Sequence, residues 1–163
     1  MTIKRVAAFG MLGFVIAGCS VGSTAAEPAV EELAGVASVI DGDTIEIHGK
    51  RVRLSGYDTP ERGARCGDVN VYQQAALALS DFIGSRTVTC DVSGEDRWDR
   101  AIAVCYVAGV DIGEFMVSTG WGRDWPRYSD GRYADEEARA REAGTNVWSP
   151  TCPAELWGDR NYD

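Results

Sequence analysis

Apolar and polar residues alternate with a period of two in three short runs, residues 36–40, 44–48 and 51–56. Asp-Gly and His-Gly pairs punctuate them, so they read as three β-strands joined by tight turns. The period then changes. Over residues 72–83, Tyr72, Ala76, Leu79 and Ile83 fall on one helical face, and Gly84 supplies a stop. Alternation returns at 86–92, where Val88, Cys90 and Val92 interleave with Thr87, Thr89 and Asp91, and a partner strand is expected at 100–107. Two more helices are expected, 111–119 capped by Asp111 and closed at Gly120, and 133–143 ending at Gly144. This order predicts an α+β, mainly β, fold. It is a five-stranded barrel of the OB type, with a helix between strands 3 and 4 and two C-terminal helices. An open α+β sheet has the same periods and stands as the alternative.

The front of the chain is built differently. Lys4 and Arg5 precede an apolar run over 6–17, too short to span a bilayer and shaped like an export signal. The run ends Val15-Ile-Ala-Gly-Cys19, which resembles a bacterial lipobox. Acylation of Cys19 would anchor the protein to a membrane, facing the envelope or the exterior. Cleavage after the small residues 23–26, giving a secreted protein, is the competing reading. The expected organisation is a signal peptide over 1–19, a small, polar, acidic tether over 20–34, and one domain with a C-terminal tail over 35–163, expected to be a monomer.

Export also suits the five cysteines. With Cys19 set aside, four remain, an even number for an oxidising compartment. Cys90 and Cys105 lie nearly symmetrically about the polar stretch 93–99, as they would across a hairpin. Cys66 and Cys152 then pair by elimination, one of three possible connectivities. Charge narrows the ligand. The chain has 16 basic and 25 acidic residues, a formal −9 that becomes −11 when Lys4 and Arg5 leave. Such a body repels a polyanion at long range. Either positive potential is confined to one cleft, or the ligand is not a long nucleic acid.

The candidate chemistry sits in three short stretches. Asp41-Gly-Asp-Thr44 is a turn bearing two carboxylates, and Arg53-Leu-Ser-Gly-Tyr-Asp58-Thr-Pro-Glu61 adds a guanidinium and two more. A second guanidinium ends Asp96-Arg-Trp-Asp-Arg100. Carboxylate oxygens suit Ca²⁺ or Mg²⁺, and paired arginines suit a phosphoryl group. Together they suggest phosphodiester hydrolysis. His48, the single histidine, falls at a hairpin tip, where a surface turn is the simpler reading than a metal ligand.

On these stretches, with Gly120 before Trp121 and Asn146-Val-Trp-Ser149, the chain resembles the staphylococcal (micrococcal) nuclease family over residues 36–149. The resemblance implies a Ca²⁺-dependent endonuclease acting on DNA or RNA and leaving 3′-phosphate and 5′-hydroxyl ends. It places the calcium ligands on Asp43, Asp58 and the carbonyl of Thr59, with Asp41 behind them. It places the catalytic arginines on Arg53 and Arg100, and on Glu61 the residue that orients or deprotonates water. Arg97, Trp98, Trp125 and Tyr128 are candidates for gripping the sugar-phosphate or stacking a base, while Trp121 and Trp148 read as core. The chain departs from the family at Trp98, commonly tyrosine, and at Asp99, commonly a glycine with positive φ, and weaker substrate affinity is the implied consequence. A non-catalytic OB-type module that binds nucleic acid or protein at the cell envelope is the alternative function. A surface lipoprotein using calcium only for stability is a third.

Overall fold

A computed structural model describes residues 31–158, the side chain of Glu31 excepted. The first three strands are β1 (Glu31–Asp41), β2 (Thr44–Ile47) and β3 (Lys50–Leu54), followed by the short pieces β4 (Tyr57–Asp58), β5 (Arg65–Cys66) and β6 (Val69–Asn70). Helix α1 (Val71–Ile83) leads to the hairpin β7 (Thr87–Glu95) and β8 (Ala101–Val107). After these come β9 (Val110–Asp111), α2 (Ile112–Ser118), β10 (Arg123–Asp124), the single turn α3 (Pro126–Ser129) and α4 (Ala134–Ala143). Two 3₁₀ turns, Asn146–Trp148 and Ala154–Trp157, end the described chain.

The strands run in the order β3-β2-β1-β7-β8-β9, and β3 also pairs with β8. That last pairing is parallel and sets Val52, Arg53 and Leu54 against Ala101, Ile102 and Ala103. It closes β1, β2, β3, β7 and β8 into a five-stranded barrel, with α1 between the third and fourth barrel strands. The period-two pattern produces the core directly. Along β8, Ala101, Ala103, Cys105 and Val107 are buried and their neighbours are half-buried, because alternate side chains point to opposite faces. Ile45, Ile47, Val52 and Leu54 enter from β2 and β3, and Val88 and Cys90 from β7. Helix α1 covers the barrel with Ala75, Leu79 and Ile83, four residues apart on one face. Asn70 caps its first turn, accepting from the Gln73 N–H, and Gly84 ends it at φ +56°.

Several features differ from the sequence pattern, among them the buried face of α1, which is Val71, Ala75, Leu79 and Ile83, with Tyr72 and Ala76 half-buried. The first barrel strand starts at Glu31, and Glu31 to Ala34 pair with Val92 to Thr89 of β7. The last residues of the expected tether are therefore strand. Their small and acidic side chains hide the period, but backbone pairing needs no apolar side chain. The structure also adds the β5–β6 hairpin and a second, smaller core of Cys66, Val71, Val147, Leu156 and Trp157. Disulfides join Cys90 to Cys105, which face each other in the β7–β8 register, and Cys66 to Cys152 across 86 residues. Cys19 lies outside the described residues.

The Cys66–Cys152 bridge fastens the C-terminal segment to the loop that follows β4. Replacing both cysteines with alanine is expected to lower the unfolding free energy by about 2–5 kcal/mol. A urea titration measures it, and an unchanged midpoint would show that the small core holds without the covalent link.

Candidate functional site

Strand β1 ends in an irregular step between Val39 and Asp41, and Asp41 pairs with Thr44 across the turn. The Asp43 N–H donates to Asp41 Oδ1 at 3.2 Å. Gly42 permits close approach here, since a Cβ would meet Thr59 Oγ1 at 2.8 Å. Thr59 in turn donates its hydroxyl to Asp43 Oδ2 at 3.1 Å, and Thr44 donates to Oδ1 at 3.3 Å. Tyr57 fixes the turn from below, its hydroxyl donating to the Gly42 carbonyl at 3.0 Å. Burial, and then the Asp43 charge, push the Tyr57 phenol well above its usual pKa, so it stays a donor. Burial, followed by repulsion from Asp43, raises the Asp41 carboxyl.

Arg53 gathers the carboxylates. Its Nη1 lies 2.9 Å from Asp43 Oδ1 and its Nη2 3.6 Å from Asp58 Oδ1. The same guanidinium donates to the carbonyls of Asp43, Leu54 and Tyr57 at 3.1–3.3 Å. Asp58 is wholly buried, and its Oδ2 lies 3.2 Å from Arg123 Nη2. Asp43 and Asp58 thus converge on one cation. Two carboxylates brought this close are hard oxygen donors of the kind that suit Ca²⁺, and here the Arg53 guanidinium stands between them. Among the described residues no group of three or more His, Cys, Asp or Glu side chains is placed to hold a metal ion.

The second arginine comes from the β7–β8 loop. Asp96 organises that loop, its Oδ1 accepting from the Trp98 and Arg100 N–H groups at 2.9 and 3.1 Å. Its Oδ2 takes Arg100 Nε and Nη2, both at 2.7 Å. Asp99 adopts φ +59°, the left-handed conformation a glycine commonly supplies, which aspartate tolerates better than most residues. Trp98 stands 63% exposed, with Arg97 and Arg100 at 4.6 and 5.3 Å from its ring. Across from it, the Arg53 guanidinium sits 5.9 Å from the Trp125 ring, which meets Tyr128 edge-on at 4.6 Å.

These groups enclose one cleft of about 590 Å³. Of the residues singled out in the sequence, Asp41, Asp43, Arg53, Arg97, Trp98, Arg100, Trp125 and Tyr128 line it. Asp58 and Thr59 lie buried behind, joined to it through Arg53 and Asp43. Glu61 is not in that lining. It is half-buried, its N–H bonded to the Leu156 carbonyl at 2.9 Å, with its side chain beside Gly158. The sequence reading missed Tyr57, Arg123 and Arg127. Tyr57 acts on the Gly42 carbonyl in the same stretch of chain, Arg123 acts on Asp58 65 residues away, and Arg127 lines the cleft from the single turn α3. A Gly-Arg-Asp triplet after Trp121 is the one trace of Arg123.

Residues 51–150 match the family model described as staphylococcal nuclease homologue. The chain belongs to the staphylococcal nuclease family. It is 36% identical over 127 residues to the succinoglycan biosynthesis protein ExoI of Rhizobium meliloti (strain 1021), covering 74% of this chain and 66% of that protein. It is 30% identical over 126 residues to an uncharacterized endonuclease of Haemophilus influenzae (strain ATCC 51907 / DSM 11121 / KW20 / Rd), covering 74% and 68%. A probable staphylococcal-like nuclease of Oryza sativa subsp. japonica is 30% identical over 99 residues, 60% of this chain and 19% of that protein. The chain thus spans about two thirds of the length of the two bacterial relatives. In this nuclease-family member the matched segment contains Arg53, Asp58, Glu61 and Arg100, while Asp41 and Asp43 precede it.

The Asp96 contacts carry a pH signature. Burial raises its carboxyl, but the N–H groups of Trp98 and Arg100 and the Arg100 guanidinium outweigh that and hold it below its ordinary value of 3.8. Its stabilisation is therefore present above about pH 3.8 and lost as pH falls through the lower folded-state value. Asp96→Asn should flatten that part of the acid limb in urea midpoints taken from pH 6 to pH 2. An unaltered acid limb would mean that the loop is ordered without this carboxylate.

Proposed function

We propose that this protein is an exported, calcium-dependent endonuclease that cleaves DNA or RNA strands to 3′-phosphate and 5′-hydroxyl ends. The observation that carries the reading is the shared cleft, which Arg53 and Arg100 both line, each already oriented by carboxylates. A phosphodiester entering the cleft meets two planar donors. As charge builds on the non-bridging oxygens, the guanidinium groups held at the cleft stabilise it, Arg53 exchanging some of its carboxylate and carbonyl partners for phosphate. Arg100 spends Nε and one Nη2 N–H on Asp96, so phosphate would be met by its other Nη hydrogens. Trp98 and Trp125 offer aromatic faces on either side for a base or sugar. Glu61, in the segment after β4 and outside the cleft lining, is assigned the role of orienting or deprotonating the attacking water. Calcium held by Asp43, Asp58 and the Thr59 carbonyl would neutralise phosphate charge.

The test uses protein beginning after residue 26. It is expected to degrade single-stranded DNA with Ca²⁺ and to stop on chelation. Arg53→Ala, Arg100→Ala and Glu61→Gln should each lower kcat about 100- to 1,000-fold while retaining the folded spectrum. Equal behaviour of wild type and all three variants would replace the enzyme by a binding module of the same fold.

The same proposal holds that lipid on Cys19 keeps the protein at the membrane. In cell fractionation, Cys19→Ser should move it from the membrane pellet to the soluble exported fraction. Continued retention in the pellet would refute the lipid anchor.

A further inference from the structure

The C-terminal segment reaches the site at two separate points. Leu156 offers its carbonyl to the Glu61 N–H at 2.9 Å. One residue on, Trp157 lies beneath the Arg123 guanidinium at 4.6 Å from the ring centroid. Arg123 stands opposite Asp58 in the β4–β10 register, and its Nη2 is 3.2 Å from Asp58 Oδ2. Asp58 Oδ1 faces Arg53 and, beyond it, Asp43. One oxygen of a wholly buried carboxylate is thus clamped from the rear, which fixes the direction of the other.

We propose that Arg123 and Trp157 are positioning residues for Asp58, resting on the nuclease reading above, and that the disulfide-fastened segment 146–158 is part of the metal site's frame. The physical argument has three steps. A carboxylate with one oxygen held by a guanidinium cannot rotate freely about its last torsion, so its outward oxygen keeps one heading. A guanidinium stacked on a ring 8% exposed loses the alternative headings it would have in water. The ring itself is packed among Cys66, Val71, Val147 and Leu156, and the Cys66–Cys152 bridge ties that cluster to the loop just beyond Glu61. A charge beside a cation's ligand also repels the cation. Orientation outweighs that repulsion here because Arg123 pairs with Oδ2, whereas Oδ1 is the oxygen that faces Arg53.

The experiment measures calcium affinity by titration calorimetry and kcat and KM on single-stranded DNA, using oxidised protein beginning after residue 26. Arg123→Ala is expected to weaken Ca²⁺ binding about 10- to 100-fold and to lower kcat with little change in KM. Trp157→Ala should act in the same direction, and Trp157→Phe, which keeps a ring under the guanidinium, should restore most of the affinity. Because the two act in series, Arg123→Ala with Trp157→Ala should be no worse than Arg123→Ala alone. Should Trp157→Ala unfold, Trp157→Phe and Arg123→Gln carry the same comparison in folded protein. Calcium affinity in Arg123→Ala equal to or tighter than wild type, or losses that simply add, would overturn the inference while leaving the nuclease reading intact. Wild type that neither binds calcium nor cleaves would overturn both.

Discussion

The parallel pairing of β3 with β8 is the constraint on which the site depends. Strand β3 carries Arg53, and β8 begins just after Arg100, so the register Arg53 to Ile102 sets the two arginines two residues apart across a strand boundary. Parallel neighbours need a long crossover, and α1 with β7 supplies it. The Ser55 N–H to Ala103 carbonyl bond at 2.8 Å carries the pairing past the end of β3, and the Leu54 N–H to Asp43 carbonyl bond at 2.9 Å ties the carboxylate turn to the same strand. Without closure β3 would be an edge strand with unpaired backbone groups, and the Asp41–Asp43 turn would have no fixed relation to the Arg100 loop.

Around that frame, opposite charges are arranged rather than scattered. The chain as a whole is acidic, yet Arg53, Arg97, Arg100 and Arg127 all face one cleft. Asp43 and Asp58 orient Arg53, and Asp96 orients Arg100. The carboxylates therefore serve as braces for the guanidinium groups, and basic side chains are gathered at the cleft. Such a gathering is what a polyanionic ligand would need against an acidic body. Short-range attraction inside a sheltered groove is screened far less than long-range repulsion from the surface.

Much of this was legible in the chain because the information is local. The β2–β3 hairpin, α1 and the β7–β8 pair follow from period and turn chemistry, and Asp99 holds the positive φ that its place before Arg100 suggested. Asp43, Arg53 and Asp58 are close in sequence, so one hairpin brings them together. What escaped depends on distant partners. Arg123 has meaning only beside Asp58, 65 residues away, and Trp157 only beneath Arg123. The start of β1 was hidden because residues 31–34 are held by main-chain bonds to β7, which leave no mark on side-chain pattern.

The early start of β1 also sets a leash. With Cys19 lipidated as proposed, only residues 20–30 separate the acyl chain from the barrel wall. Fully extended, that stretch reaches about 40 Å, comparable to the width of a domain of this size. The cleft would then patrol a thin layer next to the bilayer, and substrates would have to come to it. Polymer adsorbed at or threading through the cell surface would then lie within range, and polymer in bulk solution would be reached only after diffusing to that layer.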